Sequence, residues 1–347
     1  MKPWRARLLV WGLALAGLLL ALLGASVGSA GFDGLPGLAA GLQGDASQQA
    51  MARQIVWDIR LPRTLGAWAA GALLGLAGAL AQGLFRNPLA DPYLLGSASG
   101  ASLGVALALA ALGGAGASAG LFSEALGLRL GLTGAAFLGA VAAVLLTLLL
   151  ARGMGHTLRL LLAGVIVGMV LGALTSLLMV WSPQSLQAMQ SFLLGTTSFV
   201  GWPACLLMLG VWAACGLLTW RLAHALDALG LGEATALSLG LPLGPLRAAL
   251  VGALALATGT AVAQTGLIAF VGLAAPHLVR AVVQVGYRRL ILLASLMGGA
   301  LLAAADLLAR WLFAPQELPV GLVTAALGGL YLLWLMHRGG VHGGRAA

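Results

Sequence analysis

The chain has 347 residues, 61% of them hydrophobic and only 8% charged, with a net charge of +9 and a mean hydropathy of +1.03. So few charges cannot cover a water-soluble domain, and long unbroken apolar runs exclude the alternating pattern of a membrane β-barrel. What remains is a polytopic α-helical membrane protein whose charges lie between runs long enough to cross a bilayer. The positive balance reads as the arginine excess of cytoplasmic loops rather than nucleic-acid binding, because the basic residues are scattered at helix ends.

The N-terminus carries Lys2, Arg5 and Arg7, then an apolar run from Leu8 to Leu23 and a Gly28-Ser29-Ala30 sequence. It mimics a signal peptide but reads as an uncleaved first span over 8–28. Further spans are expected at 62–84, 93–113, 131–151, 158–181, 204–222, 246–265, 267–283, 290–313 and 318–336. The seventh and eighth form the ambiguous pair, with Gln264-Thr265-Gly266 as the turn between them. Charge decides the count. Both tails are basic, so they share the cytoplasmic side and the number of spans is even, which gives ten. The outer connections then hold most of the acids: Asp33, Asp45, Asp58, Glu124 and Glu317.

Glycine marks where helices press together. Gly71, Gly75 and Gly78 give the second span a smooth face, as membrane helix contacts require. Gly164, Gly168 and Gly172 do the same on the fifth, and read equally as tight packing or as a face lining a cavity. Between the second and third spans lies RNPLADP, where Asn87 and Pro88 stop one helix before the next begins. His224 to Pro245 suggests two short helices separated by Gly230 and Gly232, the second running from Glu233 to Leu239 and ending at Gly240 and Pro242. Ser185 to Ser198 suits a short helix at the outer surface. GALLGLAGALAQ (71–82) resembles GALALATGTAVAQ (252–264), an inverted repeat or a chance likeness in an Ala-, Gly- and Leu-rich chain.

Chemistry-bearing residues are sparse. The only lysine is Lys2, so no GxxxxGK[ST] phosphate loop exists and any ATPase is a separate subunit. Asp306 is the single acid well inside a span, and Arg310 four residues on makes a self-satisfied pair the first reading. His277, after Pro276, reads as a gate residue, a metal ligand or a hydrogen-bonded structural group; no ligand spacing joins the histidines, and no metal site is expected. Cys205 and Cys215, about 15 Å apart on one helix, are too distant for a disulfide.

These motifs together resemble the permease subunits of ABC importers for iron chelates, haem and vitamin B12, the ten-span type II class. The resemblance rests on RLPR (60–63), AQGLFRNPLADPYLLG (81–96), LLLAGVIVG (160–168), ALGLGEATALSLGLP (228–242), GLIAFVGLAAPHLVR (266–280), ADLLAR (305–310) and ELPVGLVTAALGGLYLLWL (317–335). It implies an all-α permease domain over residues 1–347 with both termini cytoplasmic, in the bacterial inner membrane. It also implies a homodimer, two ABC ATPase subunits that use ATP and Mg, and a periplasmic substrate-binding protein, with no cofactor held by this chain. Arg60, Arg63 and Arg310 match the positions that dock acidic residues of the binding protein. Asp227, Leu229, Gly230, Glu233, Leu239 and Gly240 fall in the segment that couples to the ATPase. Gln82, Asn87, Pro88, Gly164, Gly168, Gly172 and His277 are the pathway or gate candidates. FLLGTTSFVGW (192–202) departs from the family version near the outer mouth. Haem is the favoured cargo, because RNPLADPYLLG reads closest to the haem group, with vitamin B12 or a ferric siderophore as alternatives. A proton-coupled carrier using Asp306 and a purely structural membrane scaffold are the rival classes.

Overall fold

A computed structural model describes residues 3–26, 45–111, 126–151 and 157–343. The Gly28-Ser29-Ala30 sequence, Asp33, Glu124, Arg152, His156 and Arg345 lie outside the described residues. The chain forms α1 (Pro3–Ser26), α2 (Ala46–Gln54), α3 (Leu61–Phe85), α4 (Ser97–Ala111), α5 (Leu126–Leu150), α6 (Thr157–Trp181) and α7 (Leu186–Leu194). It continues through α8 (Trp202–Gly230), α9 (Glu233–Ser238), α10 (Leu243–Thr265), α11 (Val271–Val282), α12 (Tyr287–Trp311) and α13 (Val320–Gly343). Among the described residues, seven helical stretches are long and apolar enough to cross a membrane, and α4, α11 and the first part of α13 are three shorter apolar helices. Together they match the ten expected spans.

The bundle is built around α3. Alanine, glycine and leucine fill it, and nearly every side chain from Ala67 to Phe85 is buried. Without a hydrophobic force between helices in lipid, close packing must hold them, and small residues permit it. Gly71 meets the carbonyl of Gly298 on α12, Gly75 that of Ala294, and Gly78 that of Gly272 on α11. A methyl group at any of the three would overlap backbone. Gly272 is also the residue whose carbonyl Pro276 leaves without its i+4 N–H. A second glycine seam joins α4 to α5 through Gly100, Gly104 and Gly139.

α2 runs into α3 through a π-helical turn, Ile55–Arg60, making one rod from Ala46 to Phe85. The α10–α11 break falls at the expected turn and is an irregular stretch, 266–270. Gly266 and Phe270 both take positive φ, and Phe270 Cβ lies against Gly328 of α13, where no other residue fits. The exposed backbone there is satisfied from neighbours: Leu267 N donates to Phe192 O, and Thr196 N to Thr265 O.

The structure corrects one expected element. The first of the two short helices after His224 does not exist separately, because α8 continues unbroken to Gly230. RLAHALDAL contains only good or neutral helix formers, and nothing stops the helix before the Gly230–Gly232 pair. The second helix is α9, with Gly232 and Gly240 at its ends in positive φ.

Candidate functional site

Two polar clusters stand out from the apolar bundle, one at each end of α3. At the outer end Arg63 of α3 faces Asp306 and Arg310 of α12. Its Nε and Nη2 donate to Asp306 Oδ1 at 3.3 and 3.2 Å, while Nη1 donates to both oxygens of Glu317 at 2.9 Å. Arg310 Nη2 donates to Asp306 Oδ2 and, at 3.2 Å, to Thr64 Oγ1. The i,i+4 pair expected of Asp306 and Arg310 therefore forms, and Arg63 joins it from another helix.

The loop after α7 completes this cluster. Thr197 Oγ1 donates to Asp306 Oδ1, and Ser198 Oγ to Glu317 Oε2 at 2.9 Å. Asp306 is fully buried and Arg310 nearly so, whereas the Glu317 side chain keeps 23% of its surface exposed. Burial raises the Glu317 carboxyl, but the hydrogen bonds and charge of Arg63 outweigh it and hold the group below the ordinary glutamate value. Arg60 sits alongside, also buried, with Nη1 donating to the carbonyls of Ala25 and Ser26 at 3.2 Å. The three expected docking arginines are thus brought to one end of the bundle, but under cover.

At the inner end, Arg86 closes α3 in the left-handed region and Asn87 Oδ1 accepts from Leu89 N, so Asn87 makes the turn that the RNPLADP motif suggested. Pro88 is exposed in that turn. Glu233, the first residue of α9, pairs with Arg247 of α10 at 2.6 Å and lies 3.7 Å from Arg86. Asp227 Oδ1 accepts from Tyr287 N at 2.9 Å, capping the start of α12 where the helix dipole favours an anion. Leu229 is buried with Ala228, Ala236 and Leu243 in a small satellite core. Leu231, Leu237 and Leu239 project outward, between 60 and 70% exposed, with Gly230 and Gly240 also on the surface. The connection is thus a salt-bridged knob with an apolar tip on the surface. Leu231, Leu237, Arg86 and Arg247 were not singled out from sequence; the signal available was leucine in a polar, glycine-flanked connection.

The gate candidates separate. Gln82 is buried; Nε2 donates to Leu273 O at 3.2 Å and Oε1 accepts from Arg280, whose Nη2 reaches Tyr287 OH at 3.1 Å. His277 stands edge-on to Tyr331 of α13, ring centroids 5.8 Å apart. Gly164 packs against the Leu94 carbonyl, and with Gly168 it lines a cavity of about 340 Å³ beside Asp91, Tyr93, Gly96 and Ser99. Burial raises the Asp91 carboxyl against the pull of the Tyr93 N–H. Gly172 faces open space, so the glycine face packs at its inner end and opens at the other. Among the described residues no group of three His, Cys, Asp or Glu could hold a metal ion.

Residues 9–338 match the model of the FecCD transport family. The chain is 40% identical over 287 residues to the vitamin B12 import system permease protein BtuC of Salmonella paratyphi A, covering 81% of this chain and 83% of that one. The corresponding Escherichia coli O157:H7 protein is likewise 40% identical, over 82% and 84% of the two chains. Among solved structures, an inward-facing metal-chelate type ABC transporter superposes with a TM-score of 0.78 at 27% identity, over 96% of this chain and 99% of that one. PsaBC from Streptococcus pneumoniae, at 21% identity and a TM-score of 0.53 over 86% and 95%, shares the fold alone. The match across nearly the whole chain, the ten apolar helices and the two polar ends agree: this chain belongs to the FecCD transport family, as a multi-pass ABC-importer permease of the iron-chelate and vitamin B12 group.

Proposed function

We propose that this chain is the membrane-spanning subunit of an ATP-driven importer that carries vitamin B12 inward across the bacterial inner membrane. The observation that carries the cargo is the 40% identity, over four-fifths of the chain, to permeases named for vitamin B12 import. Haem, which the RNPLADPYLLG run favoured, has no comparable support.

The energy source is assigned on the family, and composition is consistent with it. With Lys2 as the only lysine, the chain has no phosphate loop, so ATP is hydrolysed by a separate subunit, two copies serving a permease homodimer. The α9 knob is the natural seat for that ATPase: Leu231, Leu237 and Leu239 offer apolar contact, and Glu233 with Arg86 and Arg247 ties the contact to α3 and α10. At the outer end, a periplasmic binding protein with acidic surface groups docks over Arg60, Arg63 and Arg310. We assign the Gly164–Gly168 cavity and the His277–Tyr331 contact to the translocation path.

The test is uptake by the complete transporter in proteoliposomes, with ATP inside and labelled vitamin B12, haem or a ferric siderophore outside. Uptake of vitamin B12, unaffected by excess haem, is expected. Uptake of a ferric chelate with vitamin B12 excluded would overturn the cargo and leave the importer class standing.

A further inference from the structure

The outer cluster poses a physical problem for any partner that must reach Arg63. Each nitrogen of its guanidinium has a carboxylate partner: Nε and Nη2 donate to Asp306, and Nη1 donates to both oxygens of Glu317. We propose that Glu317 is an internal latch, whose carboxylate holds the place on Arg63 that a carboxylate of the docking protein takes, so that docking exchanges one for the other.

Four features support the exchange. Arg63 and Arg310 face Asp306 and Glu317, a quartet that is neutral as it stands. A buried guanidinium cannot give up its partner without loss, but replacing one carboxylate by another keeps the charges balanced. Glu317 is the member fitted to leave: Asp306 is fully buried, while Glu317 sits in the connection between α12 and α13 with part of its surface in solvent. Its neighbours Phe313, Ala314, Pro315 and Gln316 are exposed, so the connection has room to swing.

The latch also holds the outer mouth together. Glu317 accepts from Ser198, on the stretch between α7 and α8, and the adjoining Leu318 N donates to Ala309 O. Gly321 N, at the start of α13, donates to Gly195 O. Displacing Glu317 from Arg63 therefore releases the carboxylate that ties Ser198 to the entry of α13 and leaves the Gly321–Gly195 backbone bond as the link between them. Docking and opening become one event, driven by the same carboxylate exchange.

This inference rests on the docking face proposed above, and the experiment separates the two. The full-length permease in nanodiscs is titrated with the periplasmic vitamin B12-binding protein of the same transporter, by surface interferometry at moderate salt. Glu317→Gln removes the competing charge and is expected to tighten docking about tenfold, while Arg63→Gln weakens it. Ser198→Ala alters no charge and removes the hydroxyl that donates to Glu317 and accepts from Thr196 in the same loop, so a smaller tightening in the same direction is expected even if Glu317→Gln folds poorly. Unchanged or weaker docking by both Glu317→Gln and Ser198→Ala, with the wild type and Arg63→Gln behaving as stated, overturns the latch alone. Docking that ignores Arg63→Gln overturns the docking face and the latch together.

Discussion

At the scale of single residues, burial decides what each charge can do. Asp306 lies between Arg63 and Arg310 and accepts from Thr197, so both of its carboxyl oxygens are engaged by partners from three parts of the chain. Asp306→Asn leaves both guanidiniums facing a neutral amide. It is expected to lower stability by about 3–5 kcal/mol, seen as a clear drop in thermal midpoint in detergent. Glu317 behaves differently because its carboxyl titrates at the edge of solvent. Its folded-state value is lowered by Arg63, so its contribution to stability is present above the ordinary glutamate value of about 4.3 and is lost as pH falls through the lowered one. Wild type should therefore exceed Glu317→Gln in thermal midpoint at neutral pH, and the gap should close on acidification. Among the described residues, the groups that act on the Glu317 carboxyl are Arg63 from α3, Ser198 from the loop after α7 and, further off, Arg310 from α12, with Asp306 on the other edge of the Arg63 guanidinium.

At the scale of elements, the seam between α3 and α12 is the most exacting contact. Gly71 and Gly298 each lie against the other's carbonyl, so a side chain on either must push two central helices apart. Gly71→Leu is expected to cost several kcal/mol, beyond the usual 1–3 kcal/mol of overpacking (about that range for a core that can adjust), and to abolish recovery of folded protein from the membrane. Much of this architecture was legible in advance, because basic residues mark the inner ends of spans and glycine spacing marks their contacts. The Gln264-Thr265-Gly266 break is the clearest case: Thr265 ends α10, and Gly266 adopts the backbone angle that glycine permits. The unbroken length of α8 was not legible, because the apolar run gives way to charge at Arg221 and His224 while the helix, which charge alone does not end, runs on to Gly230. Nor was the company kept by Arg63. Its two acids lie more than two hundred residues away, and nothing local in RLPR announces them. The same holds for Glu233, whose partners Arg86 and Arg247 come from two other helices.

At the scale of the whole molecule, α3 connects the two polar ends. It starts at the arginine cluster, runs buried through the centre of the bundle, and ends at Arg86 beside Glu233 of the α9 knob. A movement of the knob therefore has a stiff element to act on, and Gln82 ties that element sideways to α11 and, through Arg280, to the start of α12. Glu233→Gln should leave the complex assembled yet reduce vitamin B12 carried per ATP hydrolysed by about fivefold, because the knob would no longer be fixed to α3 and α10. The measurement that bears most directly on the account is the energy source for uptake. In proteoliposomes holding this chain with its ATPase and binding protein, vitamin B12 accumulation is expected with trapped ATP and no ion gradient, and not with a proton gradient alone. Accumulation driven by the proton gradient with no ATPase present would contradict the account.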